Sequence, residues 1–286
     1  MMLYELVEQL GRMDVLDAVA RPLSKKIAGA VRPRPLKDLL SGTWLGHPVH
    51  PMLTDVPIGA WAGALVVDLA GGRQGQQAAD VLIGLGLLTA LPTAATGLSD
   101  WSDHLGEERR IGLVHAVANV TAVACYGLSL LARRRGARRR GLAWSLAGGA
   151  AVAAGGYLGG HLTYAQGVNV NRNAWHDGVD EWTPVLDDAD LREQEPVAVE
   201  AGDTRVLLVR QRGQVHALAG RCGHAGGPLH EGTLEDGCII CPWHGSTFRL
   251  EDGELVHGPA TIPQPAYETR VEDGSILIRS ATGGGH

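Results

Sequence analysis

Cysteine is scarce. The 286 residues include four, Cys125, Cys222, Cys238 and Cys241, too few and too unevenly spaced for a disulfide-stapled secreted module, so metal chemistry is expected in place of cross-links. No secretory signal opens the chain and no internal repeat divides it; the arginines of 133–140 and a glycine-rich tail are the low-complexity tracts. A strong basic excess is also missing. The net charge is −6 and the mean hydropathy is near zero, which excludes the electrostatic footprint of a nucleic-acid-binding chain.

These averages conceal two unlike halves. Up to about residue 180 there are 17 Lys+Arg against 14 Asp+Glu, and from Glu181 onward 8 against 17. Basic groups beside a bilayer favour anionic lipid, whereas an acidic soluble domain suits a partner with a basic docking face. Four windows are long and apolar enough to cross a bilayer, which needs roughly 20 residues of helix: Met52 to Ala70, Ala78 to Leu98, Ile111 to Ala132 and Leu142 to Leu162, the last two the clearest. Gly148, Gly149, Gly155, Gly156, Gly159 and Gly160 would let helices approach closely. Before them, Met1 to Gly42 carries leucines at helical spacing, as in an interfacial amphipathic helix or a solvated one.

After about Asp180 the chain turns to short alternating runs separated by Gly, Asp and Pro: Pro196 to Glu200, Arg205 to Arg210, Gln214 to Leu218, Cys238 to Cys241, Tyr267 to Val271 and Ser275 to Arg279. The expected fold is therefore multi-domain, an all-α four-helix transmembrane bundle followed by an all-β antiparallel domain. The expected boundaries are an amphipathic segment at 1–45, the bundle at 46–170, a linker at 171–181 and the β domain at 182–280.

Two stretches of the β region carry the chemistry. They read Cys222-Gly-His224 and Cys241-Pro-Trp-His244, with 16 residues between His224 and Cys241, so each offers one thiolate and one imidazole. Two Cys plus two His is a ligand set for a [2Fe-2S] cluster with histidines on one iron, and equally for a structural zinc ion. The surrounding residues discriminate: Cys241-Pro-Trp-His244-Gly-Ser-Thr-Phe248, the turn at Glu251 to Glu254 and Gly258-Pro259-Ala260 resemble the Rieske [2Fe-2S] family across its cluster-binding subdomain. That resemblance implies a β-sandwich in which Cys222 and Cys241 hold one iron, His224 and His244 the other, and Gly258 to Thr261 covers the cluster. It also puts Ser246, Trp243, Gly258 and Pro259 around the ligands. Gly227 and Trp243 occupy the positions where Rieske proteins of respiratory complexes carry an additional disulfide, and Phe248 stands where the high-potential branch has a tyrosine. A ferredoxin-like or oxygenase-like domain of lower potential is implied. Cys238 is expected buried in a strand, and His216, His230 and His257 are expected on the surface or in loops.

The stretch Gly46-His47-Pro48-Val49-His50-Pro51-Met52, with Pro57-Ile58-Gly59-Ala60 and Gly156-Tyr157-Leu158-Gly159-Gly160-His161-Leu162, resembles an uncharacterised bacterial four-helix membrane family (DUF2231-like), whose activity is unnamed. Four crossings would put His47, His50, His104, His115, His161 and His176 toward the side that carries the β domain. Ionisable residues at membrane depth are functional candidates, and imidazole is a haem ligand and a proton acceptor from quinol. His115 and His161 are the expected pair for a b-type haem or another metal, with His47 and His50 as alternatives and backbone capping as the competing role.

The reading is an electron-transfer protein with no catalytic residue of its own: a one-electron carrier in a bacterial cytoplasmic membrane, exchanging electrons with quinol or haem. Its sidedness stays open, because Arg133 to Arg140 is opposed by Arg32, Arg34, Lys37, Arg109, Arg110 and Arg172. The expected partners are the lipid bilayer and a redox protein, oxygenase or reductase. Two other readings are electron supply to a separate oxygenase and a redox sensor acting on a transporter. A self-contained oxygenase is not expected, since the sequence ends shortly after Arg279.

Overall fold

The computed structural model describes residues 2–175 and 178–280, so His176 lies outside the described residues. The chain divides into two compact units. One comprises residues 2–33 and 49–168; the other comprises 34–48 and the chain from Asn169 onward.

The first unit is helical. Two short helices, α1 (Met2–Gly11) and α2 (Asp17–Ala30), precede four long ones: α4 (Val49–Ala70), α5 (Gly72–Trp101), α6 (Gly106–Arg134) and α7 (Arg138–Gly160), with α3 (Arg34–Ser41) belonging to the other unit. Successive long helices pack as hairpins, and α4 also meets α7, so the four close into a bundle. Its interior uses small and aromatic residues: Trp61 stacks on Tyr126 at 4.3 Å between centroids, with Ala64, Ala79, Ile83 and Ala90 around them. Its outside is apolar, with Val66, Leu88 and Val120 each more than 60% exposed. A bilayer, unlike water, makes such a surface inexpensive. The expected glycine seam runs along α7 and receives α6: a Cβ at Gly148 would stand 2.9 Å from Tyr126, one at Gly155 2.9 Å from Asn119, and one at Gly159 3.2 Å from His115. The same glycines reduce the hydropathy of α7. Three helices, α4, α5 and α6, are long and apolar enough to cross a membrane; α7 has the length at 23 residues but not the composition. The expectation that its window would be among the clearest is thereby corrected.

α1 buries Val7 with Ile111, Leu158 and Leu162 while Leu3 and Leu6 point outward, each more than half exposed. Apolar side chains thus occupy both faces of this helix.

The second unit is built on two antiparallel sheets. The strands are β1 (Thr183–Asp187), β2 (Val197–Ala201), β3 (Thr204–Gln211), β4 (Gln214–Ala219), β5 (Thr233–Glu235), β6 (Cys238–Ile240), β7 (Thr247–Arg249), β8 (Leu255–His257), β9 (Ala266–Glu272) and β10 (Ser275–Ser280). Six pair in the order β1-β10-β9-β4-β3-β2 and four in the order β5-β6-β7-β8. Strand β3 shows why the sheets stack. Its side chains alternate with period two, Val206 and Leu208 entering a core with Val199, Ile276 and Ile278. Leu207 and Val209 face the opposite way, into a core with Ile239 and Phe248 of the small sheet and Leu250 just after β7. Phe248, the one phenylalanine of the chain, is fully buried there. The four strands missing from the sequence reading are β1, β5, β7 and β8. Three of these have three residues each, too short for alternation to register.

Candidate metal centre

The small sheet exists to present two loops. One leaves β4 at Gly220 and reaches β5; the other joins β6 to β7 across the Ile240–Thr247 pair. Both close with the same hydrogen bonds. Cys222 N–H donates to Gly227 O at 2.9 Å and Gly226 N–H to Cys222 O at 2.8 Å; Cys241 N–H donates to Ser246 O at 2.8 Å and Gly245 N–H to Cys241 O at 3.1 Å. The fourth residue after each cysteine sits at positive φ, Gly226 at 80° and Gly245 at 79°, a conformation that L side chains resist. A glycine four residues after each cysteine is therefore the sequence trace of this turn.

The loops bring all four candidate ligands together in two pairs. Cys222 and Cys241 are buried, 1% and 3% exposed, and lie within hydrogen-bonding reach of one another. His224 and His244 are half-buried, with ring centroids 5.1 Å apart and planes at 88°. Sharing a proton with Cys241 pushes the Cys222 thiol well above its usual range, helped by burial and opposed by the His224 N–H and the Ser246 hydroxyl. The Cys241 thiol is lowered to about 7, first by the Cys222 thiol and then by the N–H groups of Trp243 and His244, against burial. Fixed donors thus favour anionic sulfur in an otherwise apolar pocket.

This arrangement fits a two-iron cluster. Two thiols and two imidazoles are a donor set that such a cluster takes.

Comparisons with known proteins agree. A model of the Rieske [2Fe-2S] domain matches residues 181–268. The anthranilate 1,2-dioxygenase ferredoxin subunit of Burkholderia cepacia is 32% identical over 98 residues, covering 34% of this chain and 91% of that protein. The chain belongs to the Rieske [2Fe-2S] family. The ferredoxin component of the alkene monooxygenase system of Xanthobacter autotrophicus is 36% identical over 107 residues, 37% of this chain and 86% of that protein. Apoptosis-inducing factor 3 of Mus musculus is 36% identical over 92 residues, 32% of this chain; the match spans 15% of that relative's length. A second model, described as a predicted membrane protein (DUF2231), matches residues 46–172. The Rieske domain binds a [2Fe-2S] cluster, and its relatives include electron-transfer ferredoxins.

Around the candidate ligands of the Rieske domain, Ser246 and Pro259 are buried and Trp243 is 49% exposed. Gly227 shows how the chain dispenses with a second cysteine pair: a Cβ there would lie 2.8 Å from Cys241 Sγ and 3.1 Å from the Trp243 ring, so the indole packs where the clamp would run. Cys238, expected buried in its strand, is only half-buried at the start of β6. His216, expected on the surface or in a loop, lies within β4, where desolvation lowers its pKa.

Several supporting residues left no signal in the sequence. Gln264, 2% exposed, donates through Nε2 to Ala219 O at 2.7 Å and Arg221 O at 2.5 Å and accepts Gly223 N–H at 3.2 Å, bolting the first ligand loop. Residues within the expected linker also grip it: Arg172 N–H donates to Gly223 O at 3.0 Å and Asn173 Nδ2 to Arg221 O at 3.1 Å. Gln264→Ala strands these buried partners and is expected to cost about 1–3 kcal/mol, read as a lowered unfolding midpoint of the Rieske domain.

In the helical unit, the histidines pair otherwise than expected. His115 meets His50, ring centroids 6.4 Å apart and nearly perpendicular, whereas His161 faces Tyr4 at 5.3 Å and Glu8 at 3.3 Å. The alternative His47 is exposed and belongs to the second unit. His50 Nδ1 lies 3.0 Å from Thr93 O and His115 Nδ1 2.8 Å from Gly155 O. Asn119 Nδ2 stands 3.1 Å from His115 Nε2.

Proposed function

We propose that the chain is a one-electron carrier of the cytoplasmic membrane in which Cys222 and Cys241 hold one iron and His224 and His244 the other. The sorting of buried thiols from half-exposed imidazoles carries this reading. A bound [2Fe-2S] cluster supplies a one-electron couple. The protein stabilises sulfur negative charge with the N–H groups of His224, Trp243 and His244 and the Ser246 hydroxyl, and it offers the imidazole edges and Trp243 to a docking partner. Phe248, buried where a tyrosine would donate a further hydrogen bond, keeps the potential toward the lower end of the Rieske range.

At the membrane, His50 and His115 are the residues proposed to meet quinol. A ring nitrogen fixed on a backbone carbonyl leaves the other as the acceptor, and a quinol hydroxyl could replace Asn119 at His115 Nε2. The test is anaerobic mixing of the detergent-purified full chain with a soluble quinol, followed by electron paramagnetic resonance. The reduced Rieske signal should grow in, about a hundredfold more slowly in His115→Gln, while dithionite reduces both proteins equally. Equal rates would overturn the quinol site, and reducible haem bands would assign the histidine pair to haem.

A second reading is electron supply to a separate oxygenase. It rests on the relatives named as ferredoxin components of a dioxygenase and a monooxygenase system.

A further inference from the structure

Residues 34–45 precede both matched regions yet fold as part of the Rieske unit. The contact falls on the loop expected to cover the cluster. Asp38, on α3, accepts the Gly258 N–H at 2.8 Å through Oδ1 and meets His257 Nδ1 at 2.9 Å through Oδ2. Thr43 Oγ1 donates to Ala260 O at 3.2 Å. The Ala260 N–H in turn donates to Ser246 Oγ at 3.0 Å, and the Ser246 hydroxyl donates to Cys222. Gly258 itself is shaped by this contact, since a Cβ there would collide with Thr43 Oγ1 and lie 3.3 Å from Asp38 Oδ1.

We propose that residues 34–45 are a brace on the cover loop, with Asp38 a positioning residue whose carboxylate lowers the cluster's reduction potential and whose hydrogen bonds, with those of Thr43, keep solvent off the cluster. The route is physical at each step. A carboxylate 21% exposed is only partly screened, and reduction adds negative charge nearby, so Asp38 opposes it. The same side chain fixes Gly258, which fixes Ala260 and hence the donor aimed at Cys222. His257, expected on the surface or in a loop, closes β8 and keeps Asp38 in place through this contact.

The inference rests on the cluster assignment above, and its test separates the two. Full-length wild type, Asp38→Asn, Asp38→Glu and Thr43→Val are titrated potentiometrically with the Rieske resonance as readout, and loss of cluster absorbance in air is timed. Asp38→Asn should favour the reduced form about tenfold at fixed potential, a rise of about 59 mV. Asp38→Glu should stay near wild type, and Thr43→Val should keep its potential but lose cluster faster. A normal wild type with an unshifted Asp38→Asn overturns the brace alone, as does an equal shift in all three variants. Should Asp38→Asn fail to load, a wild-type cluster lifetime in Thr43→Val overturns it. No Rieske signal in wild type overturns the cluster assignment, and this proposal with it.

Discussion

Cys241→Ala protein is expected to purify with iron and sulfide reduced roughly a hundredfold or more, because residues that merely support a ligand already cost 10–100-fold in metal affinity. Cys222→Ala should behave alike, since the two thiols share one buried pocket and neither has a neighbouring thiol to replace it. Cys238→Ala is the matched control. Its sulfur lies half-buried at the start of β6, 3.8 Å from Asp236 O, and its removal should leave iron, sulfide and resonance unchanged. Equal loss in all three variants would mean that thiol count, and not the two-loop geometry, governs cluster assembly.

The second large effect lies at the end of the helical bundle where α6 turns into α7. Arg133 is fully buried as a side chain, donates to Ser129 Oγ at 2.9 Å and Ser145 Oγ at 3.2 Å, and pairs with Asp68 and with Asp80 at 3.3 Å. Arg138 pairs with the same carboxylates, at 2.8 Å to Asp68 and 2.6 Å to Asp80. One network therefore ties α4, α5, α6 and α7 together. Arg133→Leu leaves Asp68, 5% exposed, short of its main partner and is expected to cost about 3–5 kcal/mol. Asp68→Asn combined with Arg133→Leu should recover much of that loss, because the penalty belongs to the stranded carboxylate. Thermal unfolding in detergent, followed by helical circular dichroism, distinguishes the variants. If the double variant is as unstable as the single one, packing and not charge accounts for the effect.

This network also revises what the arginine run says. Residues 133–140 invite a topological reading as a block of positive charge beside lipid, yet Arg133 and Arg138 are spent on carboxylates within the bundle.

The sequence by itself determined the division into an apolar helical half and an acidic β half, the existence of the long helices and the longer strands, and the four candidate ligands. Each rests on local pattern: apolar length, period-two alternation, and two loops pairing Cys with His. Only the tertiary structure decided which histidines meet, because His50 and His115 are 65 residues apart and their proximity depends on how the four long helices close into a bundle that sets α4 across from α6. It likewise decided the partners of the arginines and the attachment of residues 34–48 to the Rieske unit, where Asp38 bonds residues about 220 positions away. Gln264 shares that origin. A hydrogen bond across such separations leaves no periodicity and no spacing in the chain, since it depends on where two backbones come to rest once their cores are packed.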